Sequence, residues 1–173
     1  MRVPLADRSF LSPATPVPAA LLVTLGSAFA LAAAWFFQLV VGLAPCPLCL
    51  EQRIPYYVGL PLGLVALALL VAGRVRAGRW VLGLLAALML WNMGLAIFHA
   101  GVEWRWWVGP TSCTGAPELV SGDILSALKG ARVPRCDEAA WRLFGLSMAG
   151  WNALIAGALA LVAARGAATG RTL

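Results

Sequence analysis

Trp80–Val102 reads WVLGLLAALMLWNMGLAIFHAGV, a stretch without a single Asp, Glu, Lys or Arg. It is longer than the ~20 residues a helix needs to cross the hydrocarbon core of a bilayer. Three other stretches share this property: Ala19–Leu43, Ile54–Gly73 and Leu143–Ala164. With no water in the bilayer core, a spanning segment must satisfy its own backbone hydrogen bonds, so each stretch is read as a helix. The expected fold is an all-α membrane protein, an antiparallel four-transmembrane-helix bundle with one short and one long loop on the same side.

Composition agrees with that reading. The chain has 173 residues, 61% hydrophobic and 12% charged, whereas soluble domains are nearer half apolar and a quarter charged. The net charge of +6 does not point to nucleic acid, because the basic residues sit in the gaps between apolar runs rather than along a polar stripe. Ala28-Phe29-Ala30 resembles a signal-peptide cleavage site, but the apolar run continues to Leu43 and the preceding segment holds four prolines, so cleavage is not expected.

Charge counting orients the spans. Arg2, Asp7 and Arg8, the link with Arg74, Arg76 and Arg79, and the tail with Arg165 and Arg171 fall on one side. On the other side, six basic residues (Arg53, Arg105, Lys129, Arg132, Arg135, Arg142) face six acidic ones (Glu51, Glu103, Glu118, Asp123, Asp137, Glu138). Positive-inside bias then predicts a cytoplasmic N-terminal segment 1–18, a membrane domain 19–164 and a cytoplasmic tail 165–173. Loops 44–53 and 103–142 are expected outside, with Trp104, Trp106, Trp107 and Trp141 as an interfacial belt. Residues Leu119–Lys129 in the long loop read equally as a short surface helix or as irregular chain.

The cysteines took no part in that count, yet all four fall in the outer loops: Cys46 and Cys49 in the first, Cys113 and Cys136 in the second. In a bacterium that side is the oxidising periplasm. Cys46-Pro47-Leu48-Cys49 is a CxxC motif, whose two thiols can close a disulfide in a tight turn and whose environment can favour one thiolate. Pro47 stiffens that turn. Arg53, four residues on, would place a fixed positive charge about one turn from Cys49 if the next helix has begun. A zinc site and a pair of inert structural disulfides are the competing readings. The 22-residue spacing of the second pair lacks a zinc-ligand pattern, and a four-residue ring gains little from stapling. Redox chemistry is favoured.

Longer motifs sharpen this reading. Pro45-Cys46-Pro47-Leu48-Cys49-Leu50-Glu51-Gln52-Arg53 resembles the signature of the bacterial disulfide bond formation protein B (DsbB) family. His99-Ala100-Gly101-Val102-Glu103 with Trp107-Val108-Gly109-Pro110-Thr111-Ser112-Cys113 resembles its entry into the second loop. Cys136-Asp137-Glu138-Ala139-Ala140-Trp141, then Gly145-Leu146-Ser147-Met148 and Trp151-Asn152, resembles its exit. The resemblance implies a multi-pass protein of the bacterial inner membrane. It would reoxidise a periplasmic, thioredoxin-fold dithiol oxidase of the DsbA type and pass two electrons to a membrane quinone, ubiquinone or menaquinone. It implies disulfides Cys46–Cys49 and Cys113–Cys136, with Cys113 forming the mixed disulfide with the partner. Cys136 would attack Cys46 and free Cys49 as a thiolate facing the quinone, and quinone reduction would regenerate Cys46–Cys49. Arg53 matches the family arginine that supports the quinone and that thiolate.

His99 is the only histidine, and its expected depth matches Cys49, which makes it a candidate to hydrogen-bond a quinone carbonyl; the alternative is an interfacial histidine with its polar edge among the headgroups. Gln38, Asn92 and Asn152 are expected to bond between helices, and Gly59, Gly63, Gly94, Gly150 and Gly157 to permit close packing.

Overall fold

The computed structural model describes residues 16–114 and 134–169. Its four long helices are α1 (Pro16–Leu39), α3 (Ile54–Val71), α4 (Val75–Glu103) and α6 (Met148–Ala168). Two short helices, α2 (Pro47–Glu51) and α5 (Thr111–Thr114), lie at the end that carries the cysteines, here called the head. A two-residue ladder, β1 (Arg142–Leu143) against β2 (Leu146–Ser147), precedes α6. The anticipated helix at Leu119–Lys129 lies outside the described residues.

Each long helix packs on its chain neighbours, α1 on α3, α3 on α4 and α4 on α6, and α6 closes the ring against α1. Successive long helices run antiparallel: short links join α1 to α3 and α3 to α4, and α6 starts at the head where α4 ends. All four are long and apolar enough to cross a membrane, and the chain is a multi-pass membrane protein. Their outer faces carry large apolar side chains: Phe29, Leu39, Trp80 and Trp91 are exposed. Between helices the residues are smaller. One core cluster joins Ala19, Ala20, Val23, Ala66, Ala86 and Ala163 with Leu70, Leu82 and Leu85. Lipid removes the hydrophobic drive for helix association, so close backbone approach and dispersion must hold the bundle. Gly63 makes the point: a Cβ there would collide with Thr24 of α1. Thr24 is already satisfied, its hydroxyl donating to Ala20 O at 2.7 Å.

Helix ends differ from the apolar runs at several points; α4 starts at Val75 rather than Trp80 and α6 runs to Ala168 rather than Ala164, and three further differences lie at the head. α1 stops at Leu39 rather than Leu43, and the chain turns through Gly42, whose φ of +78° suits glycine. The second span starts at Pro47, seven residues before Ile54, so Arg53 lies within a helical segment. The ladder falters there because Pro55 has no N–H to give Glu51. The fourth span begins at Met148 and not Leu143. Residues 142–147 form an apolar hairpin whose turn holds Phe144 and Gly145 at φ +51° and +82°. Ser147 then caps α6, its Oγ accepting the Gly150 N–H at 3.2 Å.

The candidate redox site at the head of the bundle

Cys46 is the residue from which α2 starts. Its backbone is extended (φ −78°, ψ 166°), and its Sγ accepts the Cys49 N–H at 3.3 Å. Pro47 occupies the first helical position, where a missing N–H costs nothing. One helical turn then brings Cys49 back to Cys46: the Cys46 thiol donates to Cys49 Sγ at 2.8 Å. That bond and burial hold the Cys46 thiol protonated, above the usual thiol range.

The loop pair sits against the CxxC pair. Cys113, in α5, forms a disulfide with Cys136 and accepts its N–H at 3.4 Å. Both are buried in one cluster with Cys46, Leu48 and Val102, and Cys49 packs at its edge. The structure thus brings together four cysteines that the sequence separates by up to ninety residues.

His99 projects from α4 into this cluster. Its Nε2 lies 3.7 Å from Cys46 Sγ and 3.9 Å from Glu103 Oε1, while its Nδ1 accepts from Gln52 Nε2 at 2.8 Å. Gln52 Oε1 accepts from Asn152 Nδ2 at 2.7 Å, and Asn152 Oδ1 accepts from the Tyr56 hydroxyl at 2.6 Å. Cys46, Cys49 and His99 put three ligand-type atoms within 4.8 Å of one another. Tetrahedral Zn–S bonds would hold two sulfurs about 3.7 Å apart, and the Cys46 and Cys49 sulfurs lie closer than that, at 2.8 Å.

Below Cys49 a cavity of about 170 Å³ opens between α1, α3 and α6. Its wall is apolar, with Phe29, Ala33, Ala34, Phe37 and Ile155. Polar groups gather at its upper end: Cys49, Gln52, Arg53, His99 and Asn152. Arg53 is held by α1, its Nη1 donating to Gln38 Oε1 at 2.6 Å and its guanidinium lying 5.6 Å from the Trp35 ring centre. Trp141 covers the cavity, its ring 5.0 Å from Phe37. It turns inward, whereas Trp104 and Trp106 are exposed as belt residues would be.

Arg53 and His99, singled out from sequence, therefore share the wall of this cavity with Cys49. Gln38 and Asn152 do bond across elements. Asn92 is buried on α4 and lies beside the Tyr56 hydroxyl of α3. Gly94 corrects another expectation: a Cβ there meets nothing, so it serves no close approach. Sequence reading assigned no role to Gln52, Tyr56 or Glu103. The one available signal was helical spacing, since Glu103 follows His99 by one turn and Gln52 and Tyr56 flank Arg53.

Residues 16–165 match the family model described as disulfide bond formation protein DsbB. A "Disulfide bond formation protein B" of Stutzerimonas stutzeri is 30% identical, covering 82% of this chain and 88% of the relative. Its counterpart in Verminephrobacter eiseniae is 31% identical, covering 86% and 84%. That of Xanthomonas campestris is 36% identical, covering 76% and 78%. No solved structure matches the chain. With a family match across nearly all of the four-helix domain and relatives 30–36% identical over most of the chain, the chain belongs to the DsbB family of membrane disulfide bond formation proteins.

Proposed function

We propose that the protein reoxidises a periplasmic DsbA-type dithiol oxidase and delivers the two electrons to a membrane quinone, with Cys46, Cys49, Cys113 and Cys136 as the relay. The observation that carries this reading is the shared position of Cys49: it touches Cys46 and also lines the apolar cavity. A thiol in that place connects sulfur chemistry above to a lipid-soluble acceptor below.

The cavity suits a quinone, ubiquinone or menaquinone. An engineered cavity of about 150 Å³ holds a benzene ring, and the present one is about 170 Å³ with one polar end. Arg53 is the side chain that would hold the ring's oxygen-bearing edge, with Cys49 beside it. When bound, a quinone supplies a two-electron sink strong enough to keep reoxidising a partner poised near −120 mV.

The chain's own part is thiol–disulfide exchange. The partner's thiolate opens Cys113–Cys136, joining Cys113 and releasing Cys136 as a thiolate. Cys136 attacks Cys46 of the oxidised Cys46–Cys49 pair, forming Cys46–Cys136 and releasing Cys49 towards the cavity. The partner's second thiol then leaves with its own disulfide, and Cys113 attacks Cys136, restoring the loop pair and releasing Cys46. In the electron-loaded state of this cycle the loop pair is closed and the Cys46–Cys49 pair is open. Each exchange needs sulfurs in contact, and the common burial of Cys46, Cys113 and Cys136 supports it. The side assignment that fits the charge count places both termini in the cytoplasm and the head in the periplasm.

The test is quinone reduction by the purified protein in detergent, followed optically after adding a reduced DsbA-type partner. Consumption that requires both Cys49 and Cys113, with a mixed disulfide trapped at Cys113 in Cys136→Ser, is the expected result. An inert wild type with both quinones and with competent partners would overturn the proposal.

A further inference from the structure

Cys46 is the sulfur released last in that relay, and it is buried away from water. A thiolate has to be met there by a donor. Apart from the Cys49 N–H and thiol, the polar hydrogen-bonding atom recorded nearest Cys46 Sγ is His99 Nε2, at 3.7 Å. Whether that nitrogen carries a proton decides what it does, and in a neutral imidazole the partner of the other nitrogen sets this.

The chain of bonds from α3 and α6 has one direction. Tyr56 O–H donates to Asn152 Oδ1, so Asn152 presents its NH2 to Gln52 Oε1. Gln52 in turn presents its NH2 to His99 Nδ1. Nδ1 is therefore an acceptor, and the ring proton resides on Nε2. A second observation gives the same answer. Nε2 faces Cys46 Sγ and Glu103 Oε1, and the Glu103 side chain is only 5% exposed, with Oε2 free of hydrogen bonds. A bare nitrogen lone pair aimed at a carboxylate oxygen and a thiolate would be repelled by both, whereas an N–H serves either.

We propose that Gln52, Asn152 and Tyr56 are positioning residues that lock His99 as its Nε2–H tautomer, so that this N–H receives the negative charge of Cys46 when Cys113 attacks Cys136. In that step the Cys113–Cys136 bond forms, the Cys46–Cys136 bond breaks, and its electron pair stays on Cys46. No proton moves and no further oxidant is needed. This deepens the relay proposed above and rests on it. The chain also ties three helices to the reacting sulfur: α3 through Tyr56, α6 through Asn152 and α4 through His99. Other titratable or charged groups facing this corner are Cys49 and Arg53 beside α2, Glu103 on α4, and Arg142 with Ser147 in the hairpin, both near Glu103.

A single histidine makes the tautomer directly readable. In 15N-histidine-labelled protein, NMR at neutral pH is expected to show Nε2 protonated and Nδ1 bare. Tyr56→Phe removes the first donor and should leave a mixture of tautomers. Gln52→Glu, an acceptor only, should invert the ring to Nδ1–H. The second readout uses Cys49→Ala, where Cys46 is the one thiol outside the loop disulfide. Adding Gln52→Met to it, a change without charge, should slow iodoacetamide alkylation of Cys46 near neutral pH by about tenfold, one unit of thiol titration. A wild-type ring with Nδ1–H, or one indifferent to both Tyr56→Phe and Gln52→Glu, overturns the proposal. So does unchanged alkylation in Gln52→Met. Neither readout uses quinone or partner, so an enzyme that fails to reduce quinone would sink the proposed function and leave the tautomer result standing.

Discussion

The head and the opposite end of the bundle are held together by different physics. Away from the cysteines, α1, α3, α4 and α6 meet through Ala19, Ala66, Ala86 and Ala163 with a few leucines. At the head, α3, α4 and α6 are joined by Tyr56, Asn152, Gln52 and His99 in hydrogen bonds of 2.6–2.8 Å. Alanine seams bring backbones close and have no chemistry to offer. Polar chains contribute less to membrane stability, averaging about 0.6 kcal/mol per pair, but they orient. The difference suggests that stability and reactivity are separable here, and substitutions at the two ends should tell them apart.

The largest expected effect lies at the head. Cys49→Ser leaves the cavity almost unchanged in volume and removes the sulfur that adjoins both Cys46 and the cavity. Turnover should fall at least about 10³-fold, to background, since loss of a relay nucleophile is not compensated by binding. The melting temperature should stay near wild type. A variant that melts early would make Cys49 part of the scaffold and blur the division between the two ends.

What the sequence disclosed follows the same division. The spans were legible because lipid imposes one rule on every residue of a spanning segment. Their ends were not. Val40–Leu43 and Leu143–Ser147 are apolar, yet one is a turn and the other a hairpin. Hydropathy does not report the positive φ of Gly42, Phe144 or Gly145. At the site, the four cysteines, Arg53 and His99 stood out because their chemistry is rare inside a membrane protein. The Gln52–Asn152 bond joins residues a hundred positions apart, and a lone sequence has no signal for such a pairing. Trp141 carried a related ambiguity: an aromatic at a helix end looks the same whether it faces headgroups or covers a cavity.

Gly63→Val tests the other end. A branched side chain there meets the Cβ and hydroxyl of Thr24, with little room to yield. Overpacking of this kind costs about 1–3 kcal/mol, which should appear as a lower midpoint in detergent unfolding. Turnover per folded molecule should remain close to wild type, because the collision involves no member of the polar chain. A specific loss of turnover would couple the seam to the head.

Arg53→Met should act on the cavity alone. The guanidinium donates to Gln38 on α1 and faces the same space as Cys49, and methionine keeps the bulk without the charge. Quinone KM should rise about tenfold, equivalent to about 1.4 kcal/mol of binding. Exchange with the partner, measured as the rate of mixed-disulfide formation at Cys113, should not change. Loss of both would mean that Arg53 organises the whole head.

The smallest effect is expected where the head meets water. Arg135 pairs with Asp137 through two bonds of 2.7 and 2.9 Å beside Cys136, and the guanidinium holds the Asp137 carboxyl below the usual carboxylate range. A depressed carboxylate pKa gives stabilisation that is complete above its unfolded value, near 4, and is lost as pH falls through the folded value. The pair should therefore be intact at every pH where the enzyme turns over. Arg135 is open to solvent and Asp137 partly so, so salt screens their attraction and the contribution to stability is slight. Asp137→Asn should leave the melting temperature unchanged from pH 5 to 8. It should alter at most the salt dependence of partner exchange, read from mixed-disulfide formation at low and high ionic strength. A clear drop in melting temperature at pH 7 would show that the loop is braced by charge, and would extend to the head's surface the orienting role assigned here to its buried hydrogen bonds.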